Sequence, residues 1–228
     1  MISRMPRSLP DLKYEIELWK KSYVVIGIDE VGRGAFAGPL VVGGVIFHPG
    51  SNIQYLESLG IDDSKKLKPM QRRLLSKIIQ DECLAYHVSK VSVTKINRIG
   101  ITKATFVAMR DVVKNLREKC PKGILSYSEG SHVKFFVLID KFYVKRLNGI
   151  GLKNQKGIVH GDQISLSIAA ASIIAKVARD NQMRKLSAKF PLYGWGRNKG
   201  YGTSEHINAL KIHGPTRLHR VIRGYSRV

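Results

Sequence analysis

Residues 23–34 read Tyr-Val-Val-Ile-Gly-Ile-Asp-Glu-Val-Gly-Arg-Gly, an apolar run followed by two adjacent acids and a glycine loop. The β-branched content of residues 23–28 predicts a buried strand. Asp29 and Glu30 then fall at the end of that strand, where they suit neither a hydrophobic core nor a helix cap. Carboxylates can hold a hard cation, and a glycine backbone can approach a ligand closely. The segment therefore predicts a strand whose end carries chemistry.

Strand and helix patterns alternate along the rest of the chain. A loop at 32–39 leads into an apolar strand at 40–47, and the short connection favours an antiparallel pair, with a longer crossover as the alternative. Further strands are predicted at 84–91, 135–139 and 157–160, and helices at 12–20, 70–80, 101–119, 164–186 and 204–212. This alternation after an early hairpin predicts an α/β fold with a mixed sheet.

The composition is that of a basic globular chain. Its 228 residues suit one sizeable domain, and a hydrophobic fraction of 43% argues against disorder. The 39 Lys and Arg residues against 17 Asp and Glu give a formal net charge of +22. Nucleic acid is therefore the favoured partner, and an anionic membrane surface is the alternative. Cys83 and Cys120 belong to no CxxC or Cys/His cluster, so we expect neither zinc nor a disulfide framework.

The sequence predicts a cytoplasmic protein without membrane attachment, working as a monomer. Residues 1–22 hold no apolar core of the length that a signal peptide needs. No stretch approaches the ~20 apolar residues of a membrane span. Two cysteines outside any motif fit a reducing compartment.

Four acids stand at or just beyond predicted strand ends: Asp29, Glu30, Asp140 and Asp162. Ligands of α/β sheets sit beyond strand ends, so Asp29, Glu30 and Asp140 have a shared rim as their natural location, and Asp162 precedes the long predicted helix. Crowded carboxylates repel one another, and their pKa values rise unless a cation neutralises them. Hard oxygen ligands select Mg²⁺ or Mn²⁺, and two such ions can activate a water for phosphodiester cleavage.

Structural alternatives exist for most of these residues. Asp162 could cap a helix, and Asp140 could begin a turn, whereas the adjacent pair fits neither role. We interpret Asp62, Asp63 and Asp180 as surface or ion-pair acids. The glycine loop could be a tight turn, or its backbone could approach a sugar-phosphate. Its spacing does not fit G-x-G-x-x-G, and a strand follows where a helix should open, which excludes a nucleotide cofactor.

Taken together, the motifs resemble ribonuclease HII, the prokaryotic type 2 ribonuclease H. The match is carried in order by Asp29-Glu30-Val31-Gly32-Arg33-Gly34, Asp63-Ser64-Lys65-Lys66-Leu67, Leu138-Ile139-Asp140, Gly161-Asp162 with residues 170–180, Gly200-Tyr201-Gly202-Thr203 with His206, and Gly214-Pro215-Thr216 with His219-Arg220. The resemblance implies an RNase H-like fold, a mixed five-stranded sheet flanked by helices with a small helical C-terminal portion. It also implies an N-terminal extension at 1–22 outside the core, a catalytic domain at 23–195 and a substrate-contacting helical segment at 196–228.

The activity that the resemblance implies is cleavage of the RNA strand of RNA/DNA hybrids. It further implies incision 5′ to single ribonucleotides in duplex DNA, by two Mn²⁺ or Mg²⁺ ions, leaving a 3′-hydroxyl and a 5′-phosphate. Such an enzyme would serve ribonucleotide removal and primer processing.

The resemblance also assigns site residues. The implied catalytic and metal-binding acids are Asp29, Glu30, Asp140 and Asp162. The implied nucleic-acid-binding residues are Gly32, Arg33, Gly34, Ser64, Lys65 and Tyr201. The glycine–arginine loop would sense the ribose 2′-hydroxyl, which distinguishes RNA from DNA. Tyr201 would pack at the RNA–DNA junction, with a structural tyrosine as its alternative, and Ser64 and Lys65 would lie near backbone phosphates.

Two segments depart from the family pattern. Lys141 stands where glycine is usual; it could contact a phosphate or point to solvent, and we favour solvent. Residues 219–223 read His-Arg-Val-Ile-Arg where His-Arg-Arg-Ser-Phe is usual, so we do not expect the family's C-terminal contacts unchanged. Residues 224–228 show no aromatic-rich clamp-binding motif. Two rivals stay open: a non-catalytic RNA-binding protein, and another RNase H-fold enzyme such as a junction resolvase or transposase.

Overall fold

A computed structural model of the chain describes residues 9–121, 133–141, 143–147 and 149–221. The strands are β1 Tyr23–Val31, β2 Leu40–Ile46, β3 Ala85–Val91, β4 Lys134–Asp140 and β5 Gln155–Ile158. The α-helices are α1 Lys13–Trp19, α2 Ile53–Ser58, α3 Pro69–Glu82, α4 Val93–Ile99, α5 Ile101–Lys119, α6 Leu166–Lys189, α7 Trp195–Asn198 and α8 Ser204–His213. Short 3₁₀ turns lie at Leu152–Asn154, Gly161–Gln163 and Pro191–Tyr193.

The strands form one mixed sheet in the order β3-β2-β1-β4-β5. β2 runs antiparallel to both β1 and β3, whereas β4 runs parallel to both β1 and β5. The expected mixed five-stranded sheet and the early antiparallel pair are therefore confirmed.

β1 extends three residues past its predicted end. Pairing with β2 continues through Asp29 opposite Gly43 and Glu30 opposite Val42. The expectation that both acids follow the strand is therefore wrong, because ladder hydrogen bonds need only the backbone and tolerate acidic side chains. Successive side chains of a strand point to opposite faces, so the two acids leave β1 on different sides of the sheet.

Helices cover both faces of the sheet. α5 packs on one face, in the same apolar cluster as Ile26 and Ile28 of β1. α6 lies on the other face at very short range. A Cβ atom added at Gly43 would lie 2.4 Å from the carbonyl oxygen of Ala171, so the backbones could not come this close with any larger residue there. The alanines of α6 complete this close contact with the sheet.

α1 belongs to the packed body of the protein. Leu12 is fully buried in the apolar cluster of α3 and α6. Glu15 is also buried, and its Oε1 accepts hydrogen bonds from the Ser165 hydroxyl and from the amide and hydroxyl of Ser167, at the start of α6. The expectation that residues 1–22 lie outside the core is therefore wrong for this helix, which a buried acid attaches to α6. Residues 1–8 lie outside the described part of the chain.

The C-terminal elements pack on the end of α6. Ala37, Met183, Tyr193, Trp195 and Ala209 form one buried cluster there. This cluster crosses the predicted boundary at 195, and the division into domains stays a prediction. The predictions for residues 222–228 fall outside the described residues. No helix in the described ranges is long and apolar enough to cross a membrane.

Candidate active site

The four predicted acids meet where β1, β4 and the start of α6 come together. β1 and β4 pair in parallel up to Ile28 opposite Ile139, which places the acids that follow on each strand side by side. The amide of Gly161 donates to Asp140 Oδ1 at 2.9 Å, and this bond brings the turn that carries Asp162 to the end of β4. We call these four residues the carboxylate edge.

Burial and mutual repulsion act on the carboxylate edge. Burial raises the pKa of Asp29 well above its usual value, and the neighbouring acids raise it further. Burial and Asp140 raise the pKa of Glu30 to about 7, although Arg33 and Lys141 oppose the rise. Burial also raises the pKa of Asp162, against the effect of the Lys65 ammonium group. The site thus concentrates carboxyl groups whose negative charge the neighbouring cations neutralise only in part.

Hydrogen bonds and ion pairs from the protein reach only some of the oxygen atoms of these four acids. Asp29 Oδ1 accepts a hydrogen bond from the amide of Glu30 at 2.7 Å. Glu30 Oε1 lies 3.8 Å from Arg33 Nη1, while its Oε2 is buried with no hydrogen-bond partner among the described residues. Lys65 Nζ lies 3.2 Å from Asp162 Oδ2 and 3.7 Å from Asp63 Oδ1.

The chemistry of the carboxylate edge fits a divalent cation. Its candidate ligand atoms are hard oxygens, burial and neighbouring acids raise the pKa values of Asp29 and Glu30, and one buried oxygen of Glu30 has no hydrogen-bond partner among the described residues. Within the described ranges, however, no group of three or more His, Cys, Asp or Glu side chains is already arranged to hold a metal ion.

Two buried arginines hold the glycine loop beside the carboxylate edge. Arg220 and Arg179 donate to backbone carbonyl oxygens of the loop at 2.7–3.2 Å. The acceptors are Gly32, Arg33, Ala37, Gly38 and Pro39. Sequence reasoning did not assign this role to either arginine. The available signal was a charged residue inside the alanine-rich α6, together with the His-Arg pair near the C-terminus.

The geometry of the loop requires glycine at position 32. Gly32 has φ +89°, and a Cβ atom there would lie 2.0 Å from Arg179 Nε. Gly34, by contrast, has open space around its Cα. The intervening Arg33 reaches both Glu30 and the Thr102 hydroxyl, 3.5 Å from its Nη2. The loop is thus fixed on its inner side and open on its outer side.

Tyr201 is joined to the same loop. The amides of Phe36 and Ala37 donate to the carbonyl oxygen of Gly200 at 2.8 and 3.1 Å. The half-buried ring of Tyr201 lies 5.2 Å from the Arg179 guanidinium and 5.8 Å from the Lys176 ammonium. The arginine that holds the loop therefore also contacts the tyrosine, and the two predicted substrate elements form one unit.

Ser64 and Lys65, predicted together to bind nucleic acid, differ in exposure: Ser64 is buried and Lys65 is exposed. Ser64 is 1% exposed, and its hydroxyl lies 2.8 Å from the Ser172 hydroxyl. The expectation of a phosphate contact by Ser64 does not agree with this burial, because its side chain points inward to Ser172 of α6. Lys65 is largely exposed and reaches Asp162.

Three further acids are interpreted from the sequence as surface or ion-pair residues: Asp62, Asp63 and Asp180. All three form ion pairs. Asp63 contacts Lys65, and Asp180 contacts Lys176 at 2.9 Å; both acids are buried and not on the surface. Asp62 pairs with Lys66 at 2.9 Å. Both cysteines are free thiols.

Comparison with known proteins now decides the family. The family model described as Ribonuclease HII matches residues 26–224. The chain belongs to the ribonuclease HII family. Ribonuclease HII enzymes are endoribonucleases that act on RNA/DNA hybrids, so this family member is an endoribonuclease.

Individual relatives agree over nearly the whole chain. Ribonuclease HII of Caldicellulosiruptor bescii is 38% identical over 91% of this chain and 91% of its own length. Ribonuclease HII of Acetivibrio thermocellus is 41% identical over 91% of this chain and 73% of its own length. Among solved structures, the PCNA:RNase HII complex from Archaeoglobus fulgidus matches with a TM-score of 0.68 and 26% identity, covering 90% of this chain and 96% of that chain.

Proposed function

We propose that this ribonuclease HII family member cleaves RNA/DNA hybrids and also incises duplex DNA 5′ to a single embedded ribonucleotide. One observation carries the proposal: the loop expected to test for a 2′-hydroxyl is fixed directly beside the carboxylate edge, with Arg33 3.8 Å from Glu30. A ribose held by this loop lies next to the acids, so recognition and cleavage concern the same nucleotide.

The four acids would hold Mn²⁺ or Mg²⁺, two ions in our proposal. When bound, the ions supply Lewis-acid activation of a water and stabilise the leaving oxygen. Asp29 and Asp140, neighbours on β1 and β4, are our choice of shared ligands, with Glu30 and Asp162 on either side. Attack in line with the leaving group would leave a 3′-hydroxyl and a 5′-phosphate.

The other site residues would bind and orient the substrate. Gly34 leaves room for a sugar-phosphate to approach the loop backbone, and Arg33 adds a positive charge there. Tyr201 offers a ring face to the base or sugar at the junction. Lys65 supplies a positive charge between Asp162 and the surface. The net charge of +22 supports binding of the duplex backbone.

In the cell, this activity would serve ribonucleotide removal and primer processing. We further propose that the protein acts as a cytoplasmic monomer. Its substrates would be RNA/DNA hybrids and duplex DNA that contains ribonucleotides.

One assay tests the proposal against both rivals. The protein is incubated with Mn²⁺ or Mg²⁺ and a labelled DNA duplex that holds one ribonucleotide, with all-DNA duplex and branched DNA as parallel substrates. We expect a single nick on the 5′ side of the ribonucleotide and an intact all-DNA duplex. Cutting of branched DNA alone would indicate a resolvase, and binding without cutting would indicate an RNA-binding protein; either result contradicts the proposal.

A further inference from the structure

Lys141 has an unusual backbone conformation directly beside the carboxylate edge. It follows Asp140 at the end of β4 and has φ +71°, in the left-handed region. Its amide donates to the Ile158 carbonyl oxygen at 2.9 Å, so β5 fixes the backbone in this conformation. A residue with a Cβ atom is disfavoured there, and glycine is the residue that such a position favours. Strain of this kind persists where the surrounding structure holds it, and it is common around active sites.

The side chain of Lys141 is exposed, and it follows directly after Asp140 at the end of β4. Among the described residues it forms no ion pair within salt-bridge distance, whereas Arg33 and Lys65 each contact one of the acids. Lys141 therefore adds a positive charge beside the carboxylate edge that is not paired with a carboxylate among the described residues.

We infer that Lys141 is a substrate-binding residue that contacts a backbone phosphate of the nucleic acid lying across the carboxylate edge. A duplex brought to these acids presents phosphates as its anionic groups, and a lysine ammonium binds them as a point charge. The inference rests on the proposed function and adds a contact to it.

Arg146 offers a matched control. It is also a cation with a positive φ, +62°, and it is also exposed. It lies beside Phe135 and Arg117, near the opposite end of β4 from Asp140. Asp140 lies five positions along β4 from Phe135, about 17 Å. Substitution of Arg146 thus removes the same charge and the same backbone strain away from the acids.

The experiment measures binding of a fluorescent DNA duplex that contains one ribonucleotide, in EDTA over a range of salt concentrations. We expect Lys141→Ala and Lys141→Gly to weaken binding about fivefold and to reduce the slope of log K against log salt by about 0.9, the value for one lost phosphate contact. Lys141→Arg should restore both values, while Arg146→Ala and Arg146→Gly should leave both close to wild type.

Thermal unfolding separates the binding role from the strain. Lys141→Gly and Arg146→Gly should each raise Tm by about 2 °C, because glycine relieves the left-handed backbone. A more stable Lys141→Gly protein that binds its substrate more weakly is the expected combination. Wild-type binding by Lys141→Ala, or equal weakening by Lys141→Ala and Lys141→Arg, would overturn the inference.

Cleavage with Mn²⁺ distinguishes this inference from the proposed function. We expect Lys141→Ala to raise KM about fivefold with kcat nearly unchanged. If the wild-type protein failed to nick the ribonucleotide duplex, the proposed function would fail, yet the binding comparison would still decide whether Lys141 contacts nucleic acid.

Discussion

The carboxylate edge and a second buried polar group differ in how their polar atoms are paired. The second group, the histidine cluster, consists of Trp195, His206, Thr216 and His219. The Thr216 amide donates to His219 Nδ1 at 2.8 Å, which leaves the proton of the neutral ring on Nε2. That Nε2 and Trp195 Nε1 both lie within hydrogen-bond distance of His206 Nε2, at 3.1 and 3.0 Å.

The histidine cluster is thus neutral, and each of its ring nitrogens lies within hydrogen-bond distance of a partner, with the Trp195 and His219 N–H groups sharing the Nε2 acceptor of His206. His206 Nδ1 completes it by donating to the Tyr201 carbonyl oxygen at 2.9 Å. Burial lowers the pKa of His219 to about 4 and lowers that of His206, so neither ring carries a charge near neutral pH. At the carboxylate edge, by contrast, like charges are close together and Glu30 Oε2 lacks a described partner. Polar atoms that stabilise the fold find partners within the protein, whereas polar atoms that bind a ligand lack protein partners and are paired by the ligand.

The largest expected effect is the loss of catalysis in Asp140→Asn. Because an amide cannot replace the carboxylate charge, cleavage of the ribonucleotide duplex should fall by about 10³-fold or more. Asn retains an oxygen for the Gly161 amide, so folding and duplex binding should persist. Steady-state cleavage with Mn²⁺, alongside anisotropy binding, makes the measurement. Asp111→Asn on the exposed side of α5 is the control, and cleavage by Asp140→Asn within tenfold of it would refute the role.

His206→Ala should have the largest effect on stability. It leaves the Trp195 indole, the His219 ring and the Tyr201 carbonyl oxygen without a partner and opens a cavity. We expect a loss of about 3 kcal/mol in the free energy of unfolding, measured in urea. Asp140→Asn should lose none. A loss below about 1 kcal/mol for His206→Ala would mean that the histidine cluster does not stabilise this part of the fold.

The two regions should respond to pH with opposite signs in the metal-free protein. The folded-state pKa of Glu30, about 7, lies above its unfolded value, so its contribution to stability is present at low pH and lost as pH rises toward 7. Glu30→Gln should therefore exceed wild type by about 2 kcal/mol at pH 8 in EDTA and match it below about pH 5. An equal difference at both pH values would contradict the assigned cause.

The histidine cluster should change the stability of the fold with pH in the opposite direction. The folded-state pKa of His219, about 4, lies below its usual value of 6.5, so stability is present above about pH 6.5 and lost as pH falls toward 4. Glu30→Gln should retain this acid limb unchanged, since the substitution does not touch the cluster. Urea unfolding from pH 4 to pH 8 measures both limbs together.

Tyr201→Ala should have the smallest of these effects. Stacking of a base or sugar on an aromatic ring contributes about 1–3 kcal/mol, so we expect cleavage of the single-ribonucleotide duplex to slow about tenfold. Tyr201→Phe keeps the ring and should cleave nearly as wild type does. If Tyr201→Ala were as fast as Tyr201→Phe, the tyrosine would serve only the glycine turn.

Local patterns in the sequence predicted most of the fold. β-branched runs located the strands, and apolar residues at helical spacing located α5 with its observed bounds. The end of β1 was missed because Asp29 and Glu30 look like a strand terminus, although their backbones continue to pair with β2. The core position of α1 was missed because a buried acid, Glu15, attaches it.

The acids of the candidate site could be predicted from the sequence, but the residues that hold the acids and the glycine loop in place could not. The acids stood out as charges after apolar runs in a chain with few acids. Arg220 contacts the loop carbonyl oxygens across more than 180 residues of sequence, a contact that no local pattern encodes. The same holds for the inward turn of Ser64 and for the His206–His219 pair, which depend on how distant segments pack.

The binding of Mn²⁺ tests the central contrast most directly. Thermal unfolding of wild type and Asp140→Asn is compared in EDTA and in Mn²⁺ at pH 8. A cation that binds only the folded carboxylate edge stabilises it by mass action, about 2.7 kcal/mol at one hundred times Kd. We expect a clear rise in the Tm of wild type and little or none in Asp140→Asn. Equal rises in both proteins, or no rise in wild type, would contradict this expectation.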